Sequence, residues 1–103
     1  MRVQLGAPPG SGISFERADL PGSPAIPARP GFVVDVHYAT TLAREGVQVK
    51  TIEHLMAALS GLGVDNLRVC LTGPEVPILD GSAAPFVALL KAGHEGLVAS
   101  HVL

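Results

Sequence analysis

Apolar and polar positions change period several times along the chain, and each change marks an element. Val3 and Leu5 alternate about Gln4, and Ile13 and Phe15 alternate with Ser14, Glu16 and Arg17, so both segments read as strands. The stretch Ala7-Pro8-Pro9-Gly10-Ser11-Gly12 between them reads as a turn, which predicts a hairpin. Pro21, Pro24, Pro27 and Pro30 then fall in a stretch with no usable period, a surface connection within the domain. From Phe32 to Leu42, Val34, Val36 and Tyr38 share one face of an extended segment, with Asp35 and His37 on the other. Arg44-Glu45-Gly46 turns the chain into the alternating run Val47-Gln48-Val49-Lys50, a second predicted hairpin.

The period then shifts to helical. Thr51 is the expected N-cap, followed by Ile52, Leu55, Met56 and Leu59 at i, i+3, i+4 and i+7, so one face of this helix is core. Gly61-Leu62-Gly63 closes it and Asn66 to Leu71 reads as a strand. A loop through Glu75-Val76-Pro77-Ile78-Leu79 leads to a turn at Asp80-Gly81. Ser82 is the expected cap of a second helix over about 83–92, with Pro85 tolerated in its first turn, Phe86, Val87, Leu89 and Leu90 as apolar positions, and Gly93 ending it. The expected fold class is α+β: a two-layer sandwich in which one mostly antiparallel sheet is covered on one face by two helices.

Composition bounds the size and setting. At 103 residues, 48% hydrophobic and net charge −2, the chain suits one small domain with one core. With no Trp, one Tyr and three Phe, that core is aliphatic. The single Cys70 cannot form an internal disulfide, which fits a reducing compartment. No apolar run approaches the roughly 18 residues of a membrane span, and the first residues alternate like a strand instead of resembling a leader. A soluble, cytoplasmic protein is therefore expected. The few Lys and Arg are scattered, leaving no footprint for nucleic acid.

The candidate chemistry lies at Glu53-His54. Successive helical residues diverge by about 100°, so with Ile52, Leu55 and Met56 facing the sheet, this pair lies toward the rim, open to a ligand. A carboxylate and an imidazole side by side can act as general base and metal ligand, the two parts a zinc hydrolase needs. A catalytic zinc takes three protein ligands plus water, and no other cluster in this chain has obvious spacing to supply the rest. The plain alternative is that Glu53 complements the helix dipole, worth about 0.3–1 kcal/mol, and His54 is a polar surface residue. Asp80 has two readings, an Asx-type turn or support of the site from a facing loop. His37, His94 and His101 do not converge with the pair and read as solvated or satisfied side chains. Cys70, Met56 and Phe86 read as packing residues.

Two blocks give the pair a context: 51–66, TIEHLMAALSGLGVDN, and 74–86, PEVPILDGSAAPF. Together with 8–17, PPGSGISFER, they closely resemble the first domain of the UDP-3-O-acyl-N-acetylglucosamine deacetylases, zinc enzymes of lipid A biosynthesis in Gram-negative bacteria. The resemblance implies a first deacetylase-like domain at residues 1–93 that lacks its first strand, a divergent tail at 94–103, and a second catalytic domain outside this chain. It implies that His54 ligates zinc and that Glu53 is the general base activating water for attack on the acetamide of a nucleotide-sugar lipid precursor, releasing acetate. A second His and an Asp of the second domain would complete the zinc site, with a further His as general acid. On this reading the isolated chain is inactive, its partner being the second domain or a complementary chain. It looks like a truncated gene product, or one piece of a split or mispredicted reading frame. A non-catalytic remnant or interaction module with the same half-fold is the alternative.

Overall fold

The computed structural model describes residues 1–4, 10–77, 83–91 and 96–97. Among the described residues, eight strands fall into two sheets. β1 (Arg2–Gln4), β2 (Ile13–Arg17), β3 (Ile26–Pro27), β7 (Leu67–Leu71) and β8 (Gly96–Leu97) form the first, in the order β3-β2-β7-β1-β8. β4 (Val33–Asp35), β5 (Thr41–Arg44) and β6 (Val47–Lys50) form the second, in chain order. Helices α1 (Glu53–Leu62) and α2 (Ala84–Lys91) complete the α+β architecture expected from the sequence. No helix among the described residues is long and apolar enough to cross a membrane.

The first sheet corrects two expectations. β1 and β2 do not form a hairpin: β7 lies between them, antiparallel to β1 and parallel to β2. The eight residues between Gln4 and Ile13 exceed the two to five of an ordinary hairpin loop. β7 wins the central place because Leu67, Val69 and Leu71 put a buried side chain at every second position. The strands also divide between two sheets instead of one. The outer edge of β1 is paired with β8 at Arg2↔Leu97 and Val3↔Gly96.

One row of side chains runs across four strands of this sheet: Val3 opposite Val69, Val69 beside Phe15, and Phe15 opposite Ile26. All four are essentially buried and pack in one core with Leu55, Ala58 and Leu59 of α1 and Phe86 of α2. The opposite face carries Arg2, Glu16, Arg68 and Cys70 in the alternating positions, with Arg68 Nε 3.5 Å from Glu16 Oε1. One buried face and one polar face is what period-2 patterning dictates for a sheet with helices on one side.

The second sheet contains the predicted hairpin. Arg44 pairs with Val47 across Glu45 and Gly46, whose φ values of 50° and 79° make the two-residue turn with both central residues left-handed. Leu42 opposite Val49 anchors the sheet in the core. The extended segment expected from Phe32 to Leu42 is interrupted: the register shifts between Val33 and Asp35, and Asp35 Oδ1 accepts the His37 N–H at 2.8 Å. That Asx-type bond ends the ladder. Val34, Val36 and Tyr38 consequently stand in solvent, Tyr38 94% exposed with His37 edge-on against its ring.

α1 follows its sequence pattern closely. Leu55 and Leu59 are buried with Ala58, Met56 is half-buried, and Glu53 and His54 lie half-buried beside this stripe. Gly63 ends it in the left-handed conformation at φ 70°, and the Val64 N–H reaches the Leu59 carbonyl at 2.9 Å. Its start departs from expectation, with Ile52 at the N-cap in place of Thr51.

Candidate active site

The Glu53-His54 pair occupies the first turn of α1 directly after β6, at a junction fixed from two sides. On one side the backbone of Thr40, just before β5, meets it three times. The Thr40 carbonyl accepts the Thr51 N–H at 2.9 Å and the Ile52 N–H at 3.5 Å, and the Thr40 N–H donates to Glu53 Oε2 at 3.1 Å. On the other side lies the segment 74–76. Lys50 N–H donates to the Pro74 carbonyl at 2.7 Å, Val76 N–H donates to the Lys50 carbonyl at 3.0 Å, and Lys50 and Glu75 form a parallel bridge.

Thr51 sits between these two anchors in an uncommon conformation. Its φ of 63° is left-handed, a genuine outlier for a β-branched residue, and holding such a residue there costs about 1–3 kcal/mol. The side chain is buried, and its hydroxyl donates to Glu75 Oε1 at 2.8 Å. This explains why Thr51 is not the cap: its oxygen points across to Glu75 instead of down to the first-turn N–H groups. The sharp turn ends β6 and starts α1 within two residues, which brings Glu53 back over Thr40.

Glu53 is held by one oxygen, and its Oε1 forms no hydrogen bond among the described residues. His54 likewise makes none among them, leaving its imidazole to other contacts. Clefts of about 510 and 530 Å³ flank the region, one beside Ile52 and Met56 and one beside Thr41 and Lys50, and neither includes Glu53 or His54. Among the described residues no group of three or more His, Cys, Asp and Glu could hold a metal ion.

The other residues singled out in the sequence do not join the pair. His37 lies with Tyr38 in the exposed bend after β4. Asp80, Ser82, Gly93, His94 and His101 lie outside the described residues. Glu75 and Thr40 are the participants that sequence reading missed. Thr40 acts only through its backbone, which leaves no side-chain signal. Glu75 lies within a block already noted for its resemblance, and its pairing with Thr51 spans 24 positions.

Cys70, on the opposite face of the first sheet, has no part in this site. Burial pushes its thiol up from the ordinary range, and the Glu16 carboxylate, with Oε2 4.0 Å from Sγ, pushes it further. The thiolate is the nucleophile, so alkylation by iodoacetamide at pH 7.5 is expected to be several-fold slower in the folded chain than in urea. Mass spectrometry of timed aliquots reads this directly; equal rates in the two states would contradict the stated environment.

The α+β domain thus presents a carboxylate and an imidazole side by side on the first turn of α1, the carboxylate tied to the backbone of Thr40. The sequence profile of the UDP-3-O-acyl N-acetylglycosamine deacetylase family matches residues 1–101, and the chain belongs to that family. A UDP-3-O-acyl-N-acetylglucosamine deacetylase of Myxococcus xanthus (strain DK1622) is 64% identical over 86 residues, 84% of this chain and 27% of the relative. The enzyme of the same name from Syntrophotalea carbinolica is 54% identical over 85 residues, 82% of this chain and 28% of the relative. That from Coxiella burnetii (strain Dugway 5J108-111) is 50% identical over 86 residues, 84% of this chain and 28% of the relative. The chain thus spans a little over a quarter of the length of these relatives.

Proposed function

We propose that this chain supplies the general base and one zinc ligand of a deacetylase acting on UDP-3-O-acyl-N-acetylglucosamine in lipid A biosynthesis. The observation that carries the proposal is the placement of Glu53, pinned through Oε2 to the Thr40 N–H with His54 next to it on α1. The donor set fits zinc in part: a half-buried imidazole free of hydrogen bonds among the described residues is a suitable nitrogen ligand, and two further ligands must come from outside them. A bound zinc would supply Lewis-acid activation of water and polarisation of the acetamide carbonyl.

The residues of this chain divide the remaining work. His54 offers one ring nitrogen at a fixed point on the helix. Glu53 takes a proton from the attacking water at Oε1 while the Thr40 N–H holds its Oε2, and a general acid from outside this chain gives a proton to the leaving nitrogen as the acetamide C–N bond breaks, so that acetate and the free amine separate. The free thiol of Cys70 fits a reducing, cytoplasmic setting for the reaction.

A chimera tests the assignment. The Myxococcus xanthus relative, with its 86 matched residues replaced by those of this chain, is expected to hold about one zinc per molecule by atomic emission and to release acetate from the substrate. His54→Ala in the chimera abolishes stoichiometric zinc. Undiminished zinc in that variant would remove His54 from the ligand set. A folded, zinc-loaded chimera without turnover would favour the non-catalytic reading of this half-domain.

A further inference from the structure

The base and the ligand are placed by a turn that the chain would not adopt unaided. Thr51 is left-handed at φ 63°, buried, and the last residue before the helix N-cap, so its backbone angles set the direction in which α1 leaves β6. Its N–H goes to Thr40, the residue whose own N–H holds Glu53. Its only side-chain hydrogen bond among the described residues goes to Glu75. Glu75 is itself fixed at the backbone, because its neighbours Pro74 and Val76 bracket Lys50 with hydrogen bonds of 2.7 and 3.0 Å. A carboxylate on the loop after β7 therefore reaches the junction through one hydroxyl, two residues before the proposed base.

We propose that Glu75, acting through Thr51, is a positioning residue for the reaction: it holds the left-handed turn that seats Glu53 against Thr40 and aims the first turn of α1. The inference rests on the reading of Glu53 as general base. Thr51 satisfies its backbone from Thr40 whether or not Glu75 is present, so the carboxylate adds something beyond hydrogen-bond satisfaction of the strand. It ties the hydroxyl down on the side away from Thr40, so the strained residue is gripped from both sides. Without that grip Thr51 can relax toward extended backbone angles, and the first turn of α1 then shifts relative to Thr40. Misplacement of a catalytic group by about 1 Å can cost on the order of 10²-fold in rate.

Three variants in the chimera described above test this, together with amide exchange on the 103-residue chain. Glu75→Ala is expected to lower kcat by about 10- to 100-fold with KM within about threefold of the parent. Thr51→Val, which removes the hydroxyl and keeps the shape, should match it. Glu75→Gln, which can still accept the Thr51 hydroxyl, should recover kcat to within about threefold of the parent. In the isolated chain the Thr40 N–H should exchange faster in Glu75→Ala than in Glu75→Gln, because its acceptor on Glu53 is displaced. Parent-like kcat in Glu75→Ala, or an equal loss in Glu75→Gln, overturns the proposal. If Glu75→Ala does not fold, Thr51→Val against Thr51→Ser decides it by the same kcat comparison. The underlying reading fails separately: a chimera carrying Glu53→Gln that keeps full turnover refutes the base, while the exchange of the Thr40 amide still reports on the clamp.

Discussion

Glu53→Gln in the chimera is expected to lower kcat by about 10²–10⁴-fold, the range general acid-base catalysis contributes, while zinc content stays at that of the parent. Glutamine keeps the length and branching of the side chain, and its amide oxygen can still accept the Thr40 N–H that Oε2 accepts now. What it loses is basicity at the second oxygen. Two smaller effects accompany the change. The negative charge in the first turn of α1 complements the helix N-terminus, worth about 0.3–1 kcal/mol. The bond from Thr40 also weakens from charge-assisted to neutral, a difference of about 1 kcal/mol. Both would appear as a small fall in Tm, and neither could produce a hundredfold loss in turnover of folded enzyme. Steady-state kinetics with zinc analysis on the same samples separates the cases. A kcat within a few-fold of the parent would reduce Glu53 to a helix-dipole residue, which is what the dipeptide by itself suggests.

Local patterning made some of this readable and hid the rest. The stripe Ile52, Leu55, Met56 and Leu59 announces α1 and places Glu53 and His54 at its edge, and that is where they lie. The hairpin across Glu45-Gly46 is equally local, since a two-residue turn joins strands that are neighbours in sequence. The insertion of β7 between β1 and β2 is a pairing between segments more than fifty residues apart, such as Phe15 with Val69, and no short-range period encodes it. Thr51 misleads for a related reason. As a hydroxyl residue at a strand-to-helix step it has the composition of a cap, and only the carboxylate of Glu75, distant in sequence, draws its oxygen away from the helix. The site follows the same division. The two residues that do the proposed chemistry are legible, while Thr40, which holds Glu53 through its backbone, and Glu75, which accepts the Thr51 hydroxyl, become visible only when β5, β6 and the loop after β7 are brought together.

Phe15→Ala is expected to destabilise the chain by about 3–5 kcal/mol, the usual cost of deleting a buried aromatic ring. Phe15 is fully buried in the middle of the four-strand row, with Val69 beside it on β7 and Ile26 opposite on β3. Its neighbours are held by ladders on both sides, so the sheet cannot close over the vacated space as a loop could. Stability in small domains runs at about 0.05–0.15 kcal/mol per residue, and for 103 residues the loss is therefore about a fifth of the total or more. Urea unfolding followed by far-UV circular dichroism should show a much lower midpoint at unchanged slope, the mark of lost stability without a changed transition. Tyr38→Ala is the matched control: the ring is 94% exposed, and its removal is expected to cost no more than about 0.5 kcal/mol. Equal midpoints for the two variants would place Phe15 outside the core and break the row that joins β1, β7, β2 and β3. The effect on turnover should run the other way. β2 makes no hydrogen bond to Thr40, Thr51, Glu53 or Glu75 among the described residues, so chimera molecules that remain folded with Phe15→Ala should keep the parent kcat, and activity should be lost only in step with the folded fraction.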